Sequence, residues 1–269
     1  MLLAIDVGNT ETKLGVFARK GNDGFGEPAR TWRVTTERRC TADEFGVLFA
    51  AMFHRAQISP ADVRSVVISS VVPQNDRELA QACEQCFHCS PHFFTATNQN
   101  LLAVRTERPK ELGSDLAAAA IAASALYGAP TIVVSFGTAT TFGAVARDGA
   151  FLGAAIAPGI QISIEALVAR TAKLPHVALE APESSIGVDT VTALQSGIVY
   201  GFVGQTEGMI VRMRRELGED AKIVATGGLA DIVARHTTVI EHVEPHLVLL
   251  GLYRYAQGLP VAENQTGPA

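Results

Sequence analysis

Short apolar runs broken by turn-forming residues set the hydrophobic pattern of this chain, and helix-length stretches alternate with them. Leu2-Leu3-Ala4-Ile5 and Leu14-Gly15-Val16-Phe17 have the length and continuity of buried strands. With Gly8-Asn9-Thr10 as the turn between them, the opening predicts a β-hairpin. Runs at Ser65 to Ile68 and Leu101 to Val104 predict further strands, and stretches around Thr41 to Ala56 and Asp76 to Phe87 read as helices. Arg108-Pro109-Lys110 closes the first half as a turn. From Ser114, a residue suited to N-capping, the alanine-rich run through Asp115 to Ala123 predicts a helix that stops at Gly128-Ala129-Pro130.

A second hairpin follows, with Ile132-Val133-Val134 and Gly143-Ala144-Val145 flanking Ser135 to Thr141. It repeats the first: Asp6, Gly8 and Thr12 correspond to Ser135, Gly137 and Thr141 at one constant offset. A duplicated unit with two Gly/Thr-rich hairpins is the layout of a two-lobed nucleotide cleft. Further on, Ile223-Val224-Ala225 predicts a strand, Thr226-Gly227-Gly228 a sharp turn, and Leu229 to Arg235 a helix. Glycines at such a junction let a ligand approach the backbone and the helix N-terminus. These readings divide the chain into a lobe at 1–113, a second at 114–257, and a polar tail at 258–269 expected to fray.

Composition narrows the class. The chain has 269 residues, 48% of them hydrophobic and 18% charged, enough apolar surface for a packed core. Its net charge of -5 argues against a surface built for nucleic acid or anionic lipid and favours a small-molecule ligand. No apolar run approaches the roughly 20 residues that cross a bilayer. The first residues lack a basic segment before the apolar ones, so a cytoplasmic protein is expected. Cys83, Cys86 and Cys89, with His88 and His92 nearby, have a spacing that fits a helix face of buried thiols or, without a second ligand pair, an incomplete zinc site.

The first hairpin gathers the tools of phosphate chemistry. Gly8 lets backbone N–H groups reach phosphate oxygens, Asn9 and Thr10 add polar groups, Lys13 neutralises charge, and Asp6 holds Mg²⁺ directly or through water. Asp115, at a helix start after Gly113-Ser114, reads as a capping acid or, beside a substrate hydroxyl, as a phosphoryl-transfer base.

Seven segments together resemble the type III pantothenate kinase family over nearly the whole chain. They are Asp6-Val7-Gly8-Asn9-Thr10-x-x-Lys13, Ser69-Ser70-Val71-Val72-Pro73, Gly113-Ser114-Asp115, Gly137-Thr138-Ala139-Thr140-Thr141, Ala157-Pro158-Gly159, Thr190 with Gln195-Ser196-Gly197, and Thr226-Gly227-Gly228-Leu229-Ala230. The resemblance implies an α/β, two-domain actin-like, Hsp70-like and sugar-kinase-like fold with a duplicated core and ATP between the domains. It also implies a homodimer whose interface helps to form the pantothenate site, and ATP-dependent phosphorylation of the terminal hydroxyl of pantothenate, the first step to coenzyme A. By the same resemblance Asp6 to Lys13 is the first phosphate loop, Gly137 and Thr138 belong to the second, and Thr226, Gly227 and Gly228 to the adenosine motif. Asp115 is the general base, and Gly113, Ser114 and Thr190 contact pantothenate.

The chain departs from the family pattern at three positions. Leu116 stands where the family has Arg, Ser135 where it has the Asp that holds a monovalent cation, and Thr106 where it has Tyr. The expected cofactors are therefore ATP and Mg²⁺, with the K⁺ or NH₄⁺ site in question. Arg105, Arg108 or Lys110 are candidates for the missing cation near the substrate carboxylate. Two other readings stand beside the active kinase. One is a degenerate nucleotide-binding subunit or regulator that pairs with an intact relative, and the other is a related kinase whose substrate lacks a carboxylate.

Overall fold

All six residues of Leu2–Val7 are buried, as a central strand covered on both faces requires. In the computed structural model, which describes residues 1–18, 26–171 and 174–259, this strand (β1) is followed by β2 (Glu11–Phe17), β3 (Arg30–Thr35), α1 (Ala42–Ala56), β4 (Ser65–Ser70), α2 (Asp76–Phe87) and β5 (His92–Phe94). Then come α3 (Ser114–Tyr127), β6 (Thr131–Phe136), β7 (Ala139–Val145), β8 (Phe151–Pro158), α4 (Ile160–Ala169) and α5 (Thr190–Leu217). The last elements are β9 (Lys222–Thr226), α6 (Ala230–Ala234), β10 (His242–Val243) and α7 (Leu247–Ala256). From residue 260 on, the tail expected to fray lies outside the described residues.

The strands form two five-stranded sheets, ordered β3-β2-β1-β4-β5 and β8-β7-β6-β9-β10. In each sheet the first three strands are antiparallel neighbours and the last two are added in parallel, so the duplication read from two hairpins extends through both sheets. The constant offset between the hairpins does not survive the turn. Asp6 pairs with Lys13 whereas Ser135 pairs with Thr141, because the first hairpin carries one more residue in its loop. The counterpart of Thr141 is thus Lys13, and Thr12 corresponds to Thr140.

The chain divides into two compact units, and their bounds differ from a cut at 113/114. The first unit holds the described residues of Met1–Leu102, Arg108–Ala122 and Val248–Ala269, and the second holds Ala103–Glu107 and Ala123–Leu247. The sheets fall on either side of the expected cut, but the start of α3 and nearly all of α7 belong with the first sheet. Aromatic stacking explains the return of α7: Tyr253 lies over Phe17 of β2, and Tyr255 meets Phe94 of β5 edge-on. In the first unit α1 and α2 bury Phe45, Phe49, Phe53, Leu79 and Phe87 against Ile5, Leu14 and Ile68. Thr41 and Glu44 close the start of α1 as a capping box. In the second unit Ile198 and Ile210 of α5 share a core with Val134, Phe142 and Ile223.

Other expectations are corrected locally. Leu101 to Val104 is no strand: the Gln99 side chain accepts from the backbone N–H of Leu101 and of Leu102, and Val104 makes one isolated bridge to Phe151. Cys83 is buried against the core from α2, with Cys86 and Cys89 packed partly behind it. Among the described residues no group of three or more His, Cys, Asp or Glu is placed to hold a metal ion, and no helix is long and apolar enough to cross a membrane.

Within the first unit α3 and α7 meet at Gly251, where a Cβ would overlap the carbonyl oxygen of Ala118. Because the obstacle is backbone, Gly251→Ala is expected to force the helices apart and to cost about 3 kcal/mol or more. A thermal or urea unfolding curve that overlays the wild type would contradict this packing.

Candidate active site in the first unit

Strand register builds the site. Asp6 on β1 stands opposite Lys13 on β2 and opposite Ser69 on β4, so the three side chains form one row across the sheet. Their neighbours Ile5, Leu14 and Ile68 point to the other face, into the core. Alternation along three short strands therefore separates the chemistry from the packing.

Asp6 is only 8% exposed, and its Oδ1 is buried without a hydrogen-bond partner. Burial pushes its carboxyl up from 3.8 to about 7, and the nearby Asp115 carboxylate pushes in the same direction. Lys13 and a hydrogen bond from Ser69 pull the other way without overcoming that cost. A buried carboxylate with one orphan oxygen beside a second carboxylate fits Mg²⁺, which takes one or two carboxylates together with substrate phosphates.

Asp115 sits in the first turn of α3, and its Oδ1 accepts the backbone N–H of Leu116 at 2.8 Å. The same oxygen lies 2.6 Å from the point where a Cβ on Gly113 would stand, so the carboxylate folds back over Gly113 and a side chain there would have to displace it. Burial again raises this carboxyl above its usual range, opposed by the backbone N–H groups and by Lys13. Ser114 is already the first residue of α3. Its hydroxyl lies 2.9 Å from that of Ser69 and donates to the carbonyl of Ser70, which ties the start of α3 to the end of β4. Ser69 opens one of the seven motif segments, which by itself assigns it no role. Its signal is a polar Ser-Ser pair ending an otherwise apolar strand.

The remaining residues of the first loop are ordinary turn positions. Gly8 closes the turn through its N–H to the carbonyl of Glu11 at 3.0 Å, and Asn9 and Thr10 are exposed at its tip. In the 3-10 turn before Gly113, Arg108 is paired with Glu111 at 3.0 Å. Lys110, exposed on the same turn, has no ion pair among the described residues.

The second unit holds a parallel arrangement without the charges. Ser135 stands between Thr141 and Thr226 in the strand register, so the row offers three hydroxyls where the first sheet offers Lys13, Asp6 and Ser69. Thr140 is buried with its hydroxyl unpartnered. Gly137 and Thr138 are exposed, and the N–H of Gly159 donates to the carbonyl of Thr138 at 3.2 Å. Gly227 has φ +100, and a Cβ there would stand 2.8 Å from the backbone nitrogen of Phe136, so this turn requires glycine on two counts. Gly228 is exposed beside it. Thr190 opens α5, exposed, after a capping box made by Asp189 and Thr192. In the same unit Arg105 is bound to Asp148 at 2.5 Å, and the Thr106 hydroxyl is buried without a partner.

Comparison with known proteins adds two kinds of likeness. A family model described as type III pantothenate kinase matches residues 2–212. A protein from Sinorhizobium meliloti provisionally described as a 2-dehydro-3-deoxygalactonokinase is similar over 100% of both chains, with 14% identity and a TM-score of 0.60. A Campylobacter jejuni protein provisionally assigned to the Baf family of transcriptional activators gives 17% identity and a TM-score of 0.55, over 95% of this chain and 97% of that one. Component A of (R)-2-hydroxyglutaryl-CoA dehydratase from Acidaminococcus fermentans gives 14% and 0.51, over 95% and 96%. At such identities the structural likenesses speak for the fold, the duplicated α/β core shared by sugar kinases and actin-like ATPases.

Proposed function

We propose that this chain, which belongs to the type III pantothenate kinase family, transfers the terminal phosphoryl group of ATP to the terminal hydroxyl of pantothenate. The observation that carries the reading is the row of Asp6 and Lys13 with Asp115 close enough to perturb it, on a chain that matches a kinase family. Phosphoryl transfer asks little covalent chemistry of a protein and depends on positioning and charge. Lys13 neutralises the phosphate oxygens, and the exposed tip at Asn9 and Thr10, held by the Gly8 turn, presents polar groups to them. Asp6, with its orphan oxygen, is the residue that would hold Mg²⁺, which when bound draws charge from the phosphates. Asp115 accepts the hydroxyl proton as that oxygen bonds to phosphorus and ADP leaves. Its raised pKa brings it nearer the working pH, as a general base requires. Gly137, Thr138 and the turn at Thr226, Gly227 and Gly228 complete nucleotide binding, Gly113, Ser114 and Thr190 that of pantothenate, and the working state is a cytoplasmic homodimer.

Leu116 cannot pair with the pantothenate carboxylate, and of the loop cations Arg105 and Arg108 already hold carboxylates while Lys110 does not. Lys110 therefore takes that role. Lys110→Ala is expected to raise the pantothenate KM about tenfold, the scale of one charge-assisted hydrogen bond, with kcat retained. An unchanged KM removes Lys110 from the site.

The second hairpin supplies hydroxyl oxygens and no carboxylate at Ser135, so its donor set does not fit the family's monovalent-cation site. Turnover should change less than about twofold between K⁺ and its absence, and Ser135→Asp should introduce a dependence. Strong activation of the wild type by K⁺ would show that another group replaces the lost charge.

The reading is tested by ADP release from Mg-ATP with pantothenate and, separately, with glucose as acceptor. Pantothenate-dependent release supports it, and release with glucose alone assigns the chain to another acceptor. The departures at Thr106, Leu116 and Ser135 favour one alternative, a nucleotide-binding subunit without turnover. That state binds Mg-ATP and releases no ADP with either acceptor.

A further inference from the structure

On the far side of the first sheet from Asp6, under the connection between β3 and α1, lies a cavity of about 450 Å³. Native cores leave few voids larger than a water molecule, whereas small-molecule sites span roughly 300–1,000 Å³. The floor is apolar, made by Ile5 and Leu14 of the sheet, Phe45, Leu48 and Phe49 of α1, and Leu79 of α2. The mouth is polar. Its backbone is pinned rather than loose: the buried Asn75 donates from Nδ2 to the carbonyl of Glu37 at 2.6 Å, and the hydroxyls of Thr12 and Thr36 lie 2.8 Å apart. An apolar floor under a polar, hydrogen-bonded mouth matches a ligand with an apolar body and one polar end.

Charge chooses that end. The lining carries the carboxylates of Glu37 and Glu44 against the guanidinium of Arg39. Glu44 is engaged in the α1 capping box and neither Glu37 nor Arg39 has an ion pair among the described residues, so two carboxylates against one guanidinium give the mouth a net negative charge. Burial first, then the neighbouring Glu44 and Glu37 carboxylates, push the pKa of the Cys40 thiol at the same mouth up.

We propose that this cavity is a binding site for a small amphiphilic amine, its aromatic or aliphatic body on Phe45, Phe49, Leu14 and Leu79 and its ammonium group at Glu37. The site is separate from the phosphate row, which occupies the opposite face of the same strands.

Calorimetry with phenylbutylamine, phenylbutanol and phenylbutyrate, three probes with one body and different heads, tests the assignment. The amine should bind saturably and about tenfold more tightly than the carboxylate, with the alcohol between them. Glu37→Gln should bring the amine down to the alcohol. Leu48→Trp, which fills the cavity from the half-buried side of α1, should abolish binding of all three while the unfolding curve and Mg-ATP binding stay as in wild type. Should that variant not fold, Leu79→Phe fills the floor instead. Absence of saturable binding up to the millimolar range overturns the proposal, as do preference for the carboxylate and binding that persists in the filled variants.

Discussion

Asp6→Asn is expected to make the protein more stable above neutral pH and to remove its kinase activity. The native carboxyl titrates at about 7 against an ordinary 3.8, so between these values the folded state holds a proton that the unfolded chain has released. Stability is then largest below pH 4 and falls as pH rises to about 7, by on the order of 4 kcal/mol if the whole displacement is expressed. Asn cannot ionise and escapes this loss. In metal-free buffer at pH 8 the variant should melt several degrees above wild type, and at pH 4 the two should nearly coincide. Mg-ATP should stabilise wild type and leave the variant almost unmoved, because the carboxylate that costs stability is the one that holds the metal. Turnover should fall by about two or more orders of magnitude. A variant less stable than wild type at pH 8, or one that keeps its turnover, contradicts the role given to the orphan oxygen.

Asp115→Asn should lower kcat by about two or more orders of magnitude and leave ATP affinity nearly unchanged, since it removes a proton acceptor and preserves shape. The wild-type kcat/KM should fall on the acid side, with an inflection above the ordinary aspartate range because burial raises this carboxyl. That limb should vanish in the residual activity of the variant. Rapid-quench turnover and nucleotide titration separate the two effects. Equal turnover would return Asp115 to a local role at the start of α3.

The strands that carry the chemistry were legible because they are apolar and bounded by turns. Leu2 to Ile5, Leu14 to Phe17 and Ile132 to Val134 are buried almost throughout, and their hairpins predict one antiparallel pair in each sheet and the duplication. β3 is hard to read because RTWRVT has no continuous apolar run, and β8 because its run from Phe151 to Pro158 is mostly Ala, Gly and Pro, residues depleted in strands, with alternate positions exposed. α5, 28 residues long, was masked by Gly197, Gly201, Gly204 and Gly208, which lower helix propensity. The place of α7 beside the first sheet depends on Tyr253 and Tyr255 meeting Phe17 and Phe94, contacts across most of the chain that no local pattern encodes. At the site, residue types pointed to Asp6, Lys13 and Asp115, whereas the pairing of Asp6 with Lys13 rather than Thr12 depends on a loop one residue longer than its duplicate. Ser69 emerged only from the parallel register of β1 with β4.

The measurement that bears most directly on phosphoryl transfer by this row is the mass-spectrometric identification of the product formed from Mg-ATP and pantothenate by wild type and by Asp115→Asn in parallel. Phosphopantothenate accumulating with wild type and falling by about two orders of magnitude with the variant is the result expected. Mg-ATP binding by wild type with no phosphopantothenate would contradict the kinase reading, and equal product from both proteins would contradict the assignment of Asp115.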